Sequence, residues 1–387
     1  MRAIGSSAVE MKKPEHLLMV ADTEHDADML YAVGVFVPDP FIFLRTRGRN
    51  YVVMSDLEFD RVRRQAPHCR VLSLSRYQAR VRRAGVRQPS LADVVVELLR
   101  ERRIRRVVVP RSFPYGLAAD LQQRRIRLAA RSGNFFTERE CKSAAEVKKI
   151  SAALLMAEIG MAEGIQVLRR AKIGKDRRLI HHDVPLTSEK LRAVIDTAIL
   201  QAGGLASHTI VAGGRQACDP HEAGRGLLHA HEPIILDIFP RSQATGYFGD
   251  ITRTVVRGRA NEAVRKLYDT VWRAQKLAFQ SMRAGVPTQQ VHRAVQDFFD
   301  RAGYRTGKSG GCMQGFFHGT GHGLGLEIHE PPRVGASSAG MLKPGHVVTV
   351  EPGLYYPGMG GVRLEDVALV TRARPRNLTR FEKELEI

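Results

Sequence analysis

The stretch IILDIFPRSQATGYFGDITRTVV, residues 234–256, decides the fold. It reads as two apolar strands around a turn, and each strand carries an aspartate, Asp237 and Asp250. Apolar, β-branched runs bounded by Pro, Ser and Gly predict strand, loop, strand. A dry sheet does not take an ionised carboxylate without a partner, because desolvating one costs several kcal/mol.

The same anomaly recurs downstream. VVTVEPGLYY (347–356) ends an apolar strand on Glu351, and GVRLEDVALV (361–370) sets Glu365 and Asp366 inside another. One such acid is explained by a salt bridge or a wet sheet face; four in consecutive strand-like segments call for matching cations. Period-two alternation leaves open which of Glu365 and Asp366 faces inward. Between these segments lies FFHGTGHGLGLEIHEPP (316–332), with His318, His322 and His329. His318 and His322 have helical metal-site spacing, but no Glu follows His318 and four glycines oppose a helix. Extended, glycine-rich backbone suits close approach of chain and ligand. His221, in CDPHEAG, lies sixteen residues before Asp237.

Four carboxylates and one imidazole suit Mn²⁺, Co²⁺, Fe²⁺ or Zn²⁺ better than a thiolate site would. Two divalent ions carry a charge that four carboxylates cancel. At about 3.5–4 Å apart, such a pair clamps both ends of a hydrolytic transition state. The residues alone therefore predict a dinuclear metallohydrolase.

Working outward, Ser143 and Glu146 form a capping box for a long amphipathic helix to about Ala171. Further helices are expected over 188–202, 261–284 and 288–302, the last three ending at Gly203, Gly285 and Gly303. Strands and helices without strict alternation predict an α+β domain, an antiparallel sheet with helices on one face. GYFGDITRTVV and GGVRLEDVALV echo each other, as a duplicated half-domain would. The first 142 residues differ. HLLMVA, FIFLR, YVVMS, RVLSLS and RRVVVP read as strands, and Ser90 with Asp93 caps a helix between the last two. That pattern predicts a smaller α/β domain with parallel pairing. No Gly-rich nucleotide cradle is present.

In this order, LDIFPRSQATGYFGDITRT, HGTGHGLGLEIHE, EPGLYY and GVRLED resemble the pita-bread (M24-type) metallopeptidases, specifically Xaa-Pro aminopeptidases and Xaa-Pro dipeptidases (prolidases). The resemblance implies a creatinase-like N-terminal domain over 1–142 and a pita-bread catalytic domain with pseudo-twofold symmetry over 143–387. It implies two divalent ions, Mn²⁺ ahead of Co²⁺, Zn²⁺ or Fe²⁺, on Asp237, Asp250, His322, Glu351 and Glu365. Glu351 would also serve as general base. His318 and His329 would contact substrate and the oxyanion, His221 would position substrate, and Arg363 matches an arginine of proline-specific members. An ion pair from Arg363 to a ligand carboxylate is the competing role; Tyr355 is expected to line the pocket or simply pack. Asp237 and Asp250 are thirteen apart, where eleven is the commonest family spacing, and the FPRSQATG turn is expected to absorb the excess. The implied partners are a proline-containing peptide and a second copy of the chain. The alternatives within the fold are a creatinase or methionine aminopeptidase, and outside catalysis a module binding peptide or nucleic acid.

Composition bounds the rest. No run of 18 or more apolar residues predicts a membrane span, and MRAIGSSAVEMKK lacks the apolar segment of a signal peptide, so a cytoplasmic location is expected. Cys69, Cys141, Cys218 and Cys312 are too scattered for a disulfide framework or zinc knuckle and are expected as free thiols. The formal charge is +20, and residues 61–131 hold 19 arginines and no lysine. An arginine bias also follows from a GC-rich genome. Interleaving with acids and apolar residues, without RGG or RS repeats, favours a solvated basic surface over nucleic-acid binding.

Overall fold

The computed structural model describes residues 15–387, so the reading of the N-terminal thirteen lies outside the described residues. The chain divides into two compact units between Thr137 and Glu138.

The first unit contains β1 (Leu17–Ala21), α1 (Ala27–Val33), β2 (Phe41–Thr46), β3 (Arg49–Met54), α2 (Asp56–Gln65), β4 (Cys69–Ser73), α3 (Leu74–Arg83), α4 (Leu91–Glu101), β5 (Arg106–Val109), α5 (Tyr115–Gln123) and β6 (Arg127–Ala130). The six strands form one sheet in the order β4-β3-β2-β1-β5-β6. Its strands are buried on both faces: Leu18, Ile42 and Leu44 pack under α4, while Met19, Phe43 and Met54 pack under α1 and α2. The predicted parallel pairing holds for β3–β4, β1–β5 and β5–β6, but β1–β2–β3 is antiparallel. The reason is local. Arg47 and Gly48 both have positive φ, 49° and 73°, which closes a two-residue hairpin. The capping box of Ser90 and Asp93 starts α4 as expected. Strand β6 and the other helices of this unit carried weaker sequence signals.

The main elements of the second unit are α6 (Ala144–Arg170), α7 (Ser188–Gln201), β7 (Ile210–Gly213), β8 (Ile234–Ile238), β9 (Ile251–Val255), α8 (Glu262–Ser281), α9 (Thr288–Arg301), β10 (Gly321–Gly323), β11 (Glu330–Val334), β12 (Val347–Val350), β13 (Gly353–Tyr356), β14 (Gly360–Arg363) and β15 (Asp366–Leu369). The four helices fall where the caps and glycines put them. The strands build an antiparallel three-stranded sheet, β7-β8-β9, and a second antiparallel sheet containing β11-β10-β12-β15. Helices α6 and α7 lie against the first sheet, α8 and α9 against the second and the β13–β14 hairpin. Each half is thus a helix pair on a sheet, as the two echoing segments suggested. A bridge between Thr252 and Glu365 joins them.

Two glycines set the packing of α6. A Cβ at Gly160 or Gly164 would meet Ile199 or Ile195 of α7 at 2.8–2.9 Å, so only glycine lets the helices approach this closely. By length and composition α6 is long and apolar enough to cross a bilayer, unlike the expectation from uninterrupted runs. Half of its apolar window is nevertheless buried inside the second unit, the profile of a core helix. All four cysteines are free.

Candidate metal centre

Each predicted acid sits at the end or break of a strand. In β8, Asp237 pairs across from Thr252 of β9, and Asp250 immediately precedes β9. The register runs intact through Ile238 and Ile251, so the two extra residues are taken up entirely in the intervening loop. The apolar run 346–356 is not one strand. Pro352 cannot donate to a ladder, and β12 and β13 enter different sheets with Glu351 at the break. The run 361–370 divides likewise between β14 and β15, with Glu365 immediately before β15. That break decides between the neighbouring acids. Asp366 is held by Arg253 at 2.9 Å, Lys383 at 2.5 Å and Asn377 at 2.8 Å. Glu365 accepts a 2.7 Å hydrogen bond from Thr252 and lines the central cavity.

His322 occupies β10, between two glycines that have no alternative. A Cβ at Gly321 would lie 1.9 Å from the Thr349 carbonyl oxygen, and one at Gly323 would lie 2.2 Å from that of Pro331. The His322 Nδ1–H donates to the Gly323 carbonyl at 3.1 Å. Its Nε2 therefore carries the lone pair, and burial pushes the ring pKa down to about 3. That lone pair faces Glu351 Oε1 at 3.5 Å and Asp250 Oδ2 at 3.7 Å. Ligand atoms of Asp250, His322 and Glu365 all lie within 4.8 Å of one another. Asp237 and Glu351 line the same cavity, of about 780 Å³.

These groups repel one another unless something positive lies between them. Burial, then Glu365, Asp237 and Glu351, drive Asp250 well above the usual carboxylate range. Burial, then Glu351 and Asp237, do the same to Glu365. Burial, with Asp237 adding and Arg363 opposing, lifts Glu351 to about 7. Asp237 Oδ1 and Glu365 Oε1 are buried with no hydrogen-bond partner among the described residues. Orphaned carboxylate oxygens beside an imidazole lone pair fit a divalent cation.

The remaining predicted residues line the same cavity: His221, His318, His329 and Arg363. Arg363 forms the ion pair anticipated as its competing role, Nη2 to Asp237 Oδ2 at 2.6 Å. Its Nη1 donates to the Tyr355 hydroxyl at 2.9 Å, which in turn donates to His318 Nε2 at 2.9 Å. The His318 Nδ1–H is committed to the Gly319 carbonyl at 2.7 Å. Both nitrogens of His318 are thus in use, and Tyr355 is a fully buried link of this chain. His329 is exposed at the cavity wall, stacks edge-on against His322 at 4.4 Å, and has no ring hydrogen bond among the described residues. His221 is exposed at the cavity wall.

Residues 148–372 match the model of metallopeptidase family M24. The chain belongs to that family. Over 287 residues this M24 chain is 30% identical to the Xaa-Pro dipeptidase of Pyrococcus horikoshii, covering 73% of the chain and 75% of that relative. Identity to the Xaa-Pro dipeptidase of Pyrococcus furiosus is 36% over 178 residues, 46% of this chain and 48%, about half, of the relative. Among solved structures, a Xaa-Pro dipeptidase from Bacillus anthracis superposes with a TM-score of 0.81 at 22% identity, covering 97% of this chain and 95% of that one. The X-Pro aminopeptidase from Thermotoga maritima gives 0.80 at 21%, covering 97% and 98%. The architecture of the second unit is accordingly the M24 pita-bread fold, and M24 peptidases work with divalent metal ions.

Two parts of the M24 site were not read from the sequence. Thr252 and Thr349 hold the acids: Thr349 Oγ1 sits 3.3 Å from Glu351 Oε1 and accepts the His322 N–H at 3.1 Å. Thr252 lies two residues after Asp250, and that period-two spacing was the available signal. Arg333, four residues after His329, lines the cavity and has no carboxylate partner among the described residues. Its signal was a lone cation in HEPPRV.

Proposed function

We propose that this M24 peptidase hydrolyses the bond between an N-terminal residue and proline, with Xaa-Pro dipeptides as its preferred substrates and two divalent ions as cofactors. Asp237, Asp250, His322, Glu351 and Glu365 would hold the ions, Mn²⁺ ahead of Co²⁺, Zn²⁺ or Fe²⁺. The observation that carries this reading is the unprotonated Nε2 of His322 aimed at two carboxylate oxygens. A carboxyl proton relieves that repulsion only while these acids stay un-ionised; a divalent ion relieves it with all of them ionised.

When bound, the ions polarise the scissile carbonyl and make water acidic near neutrality. The protein supplies the rest. Glu351 would take the proton from the attacking water and pass it to proline's nitrogen, which needs one as the C–N bond breaks; proline's amide has no N–H to be recognised by, so the site must read the ring itself. His329 has a free ring nitrogen to donate to the developing oxyanion, as a preorganised donor should. His318, committed through both nitrogens, instead positions Tyr355 and Arg363, and Arg363 fixes Asp237. Phe239, Phe317 and Ile328 offer apolar wall to the proline ring. His221 faces substrate from the exposed side. Arg333 provides the cation for a carboxylate one residue beyond the scissile bond, which favours dipeptides over longer peptides. The names of the Pyrococcus relatives support the same choice.

A product time course on Ala-Pro and Ala-Pro-Ala with added Mn²⁺, beside metal analysis of the purified protein, tests the proposal. The expected result is free proline from Ala-Pro, slower cleavage of the tripeptide, and two ions per chain. Absence of both turnover and bound metal would sink it; faster tripeptide cleavage would replace dipeptidase with aminopeptidase.

A further inference from the structure

Eight of the 22 arginines among residues 15–137 gather at one end of the first sheet. Strands β1, β3, β4, β5 and β6 run in one direction and β2 runs against them. The five strand starts and the β2–β3 hairpin therefore share one end of the sheet. The hairpin puts Arg47 and Arg49 there. Arg70 enters β4. Arg103, Arg105 and Arg106 lead into β5, and Arg125 and Arg127 lead into β6. All eight are exposed, and none has a carboxylate partner among the described residues. The acids within five residues of these strand starts, Glu15 and Glu101, are already ion-paired, to Arg131 and to Arg80 and Arg102. The opposite end carries most of the acids: Asp22, Glu24 and Asp26 follow β1, Asp39 precedes β2, and Asp56 follows β3, against Arg111 after β5 and Arg131 after β6.

A second observation concerns the backbone. Arg47, Arg103 and Arg125 have φ of 49°, 55° and 63°. This left-handed region strains an L-residue and leaves glycine unstrained. Elsewhere in the unit, Gly34, Gly85 and Gly133 fill such positions. Base composition enriches arginine, but glycine codons are equally GC-rich, so it does not choose arginine over glycine at three turns of one edge. It does not segregate arginines from acids either.

We propose that this arginine edge docks on the phosphate backbone of a nucleic-acid duplex. Six strands make an edge of roughly 24 Å, and a duplex offers one charge per ~1.7 Å of axis. Guanidinium forks grip phosphate in pairs of hydrogen bonds, which explains arginine with no lysine among residues 15–137. The exposed large apolar side chains of this unit, Leu57, Val86 and Tyr115, all lie outside these turns. The edge thus has no wedge for a lipid interface and no platform for unpaired bases.

The test is fluorescence anisotropy of the full chain with a short DNA duplex and a short RNA duplex between about 50 and 200 mM salt. Arg103→Gly with Arg125→Gly removes two charges at positions where glycine relaxes the backbone. The variant should melt at or above the parent temperature and hydrolyse Ala-Pro at the parental rate. On DNA its binding should weaken roughly 10- to 100-fold near 100 mM salt, with the log–log salt slope shallower by about 1.8. Arg177→Gly, at φ 64° in the second unit, is the control and should bind as the parent does. No duplex binding at low salt, equal loss in the Arg177 control, or tighter binding to phosphatidylserine vesicles than to either duplex overturns the proposal.

Discussion

At the scale of single residues, the chemistry rests on where protons and lone pairs sit. His322 is fixed in one tautomer by the Gly323 carbonyl, which leaves the lone pair of its other nitrogen facing the carboxylates. Glu351 is the group whose loss should matter most to the reaction. Glu351→Gln keeps the volume and removes the base, so kcat should fall about 10²–10⁴-fold while thermal melting shows a folded protein. Parental kcat would remove Glu351 from its role. Arg333→Ala should raise KM for Ala-Pro roughly 10- to 100-fold, the worth of a charged hydrogen bond, with a smaller change for Ala-Pro-Ala. Equal changes on both substrates would place Arg333 outside carboxylate recognition. The acids were legible because a carboxylate in an apolar strand is conspicuous. An ion pair from Arg363 was expected, but not which acid it holds, because Arg363 and Asp237 lie 126 residues apart, and both nitrogens of His318 are consumed by atoms no sequence spacing indicates.

At the scale of elements, the site depends on backbone approach and on one buried charge cluster. Strand β10 touches β11 and β12 so closely that Gly321→Ala must push the Thr349 carbonyl away. Overpacking of this kind costs about 1–3 kcal/mol, and metal affinity should drop with it because Thr349 also holds Glu351; isothermal titration with Mn²⁺ measures this. The turn before His329 is set by Glu330, which accepts the N–H groups of Leu326 and Glu327. Lys142 pairs with Glu330 at 2.7 Å with both side chains buried, and Arg139 joins them. Burial works to raise the Glu330 pKa, but Lys142 and Arg139 outweigh it and hold it low. Its stabilising effect is therefore present above the unfolded value of about 4.3 and is lost as pH falls below it. Lys142→Met removes one of two cations from a buried carboxylate and leaves Arg139 in place, so it should cost about 1–3 kcal/mol in urea unfolding at pH 7. A cost under about 1 kcal/mol would mean that water reaches Glu330. Helix ends were readable from caps and glycines because those signals are local. The end of the strand at Glu351 was legible too, but the break at Glu365 was not, since an apolar run does not say which sheet each half joins.

At the scale of the whole molecule, metal and stability are coupled. In the metal-free protein Asp250, Glu365 and Glu351 hold protons that the unfolded chain has already released. Native-state protons in excess make stability fall as pH rises, from about 4.3 through about 7, the folded value for Glu351. The chelated protein should therefore lose melting temperature steadily between pH 5 and 8, and Mn²⁺ should restore it, more at pH 8 than at pH 5. A metal-induced gain that is the same at both pH values would disconnect these carboxylates from the ion. The sequence by itself determined the helix limits, the two echoing halves and the family, and it singled out the candidate donors, because each is written in residue types, short spacings or ordered motifs. Only the tertiary structure decided that Arg253, Lys383 and Asn377 hold Asp366, that the first sheet is mixed, and that eight of its arginines gather at one end. Those depend on strand direction and pairing between segments far apart in the chain, where hydrogen-bond register and exclusion of water act and local pattern carries no instruction.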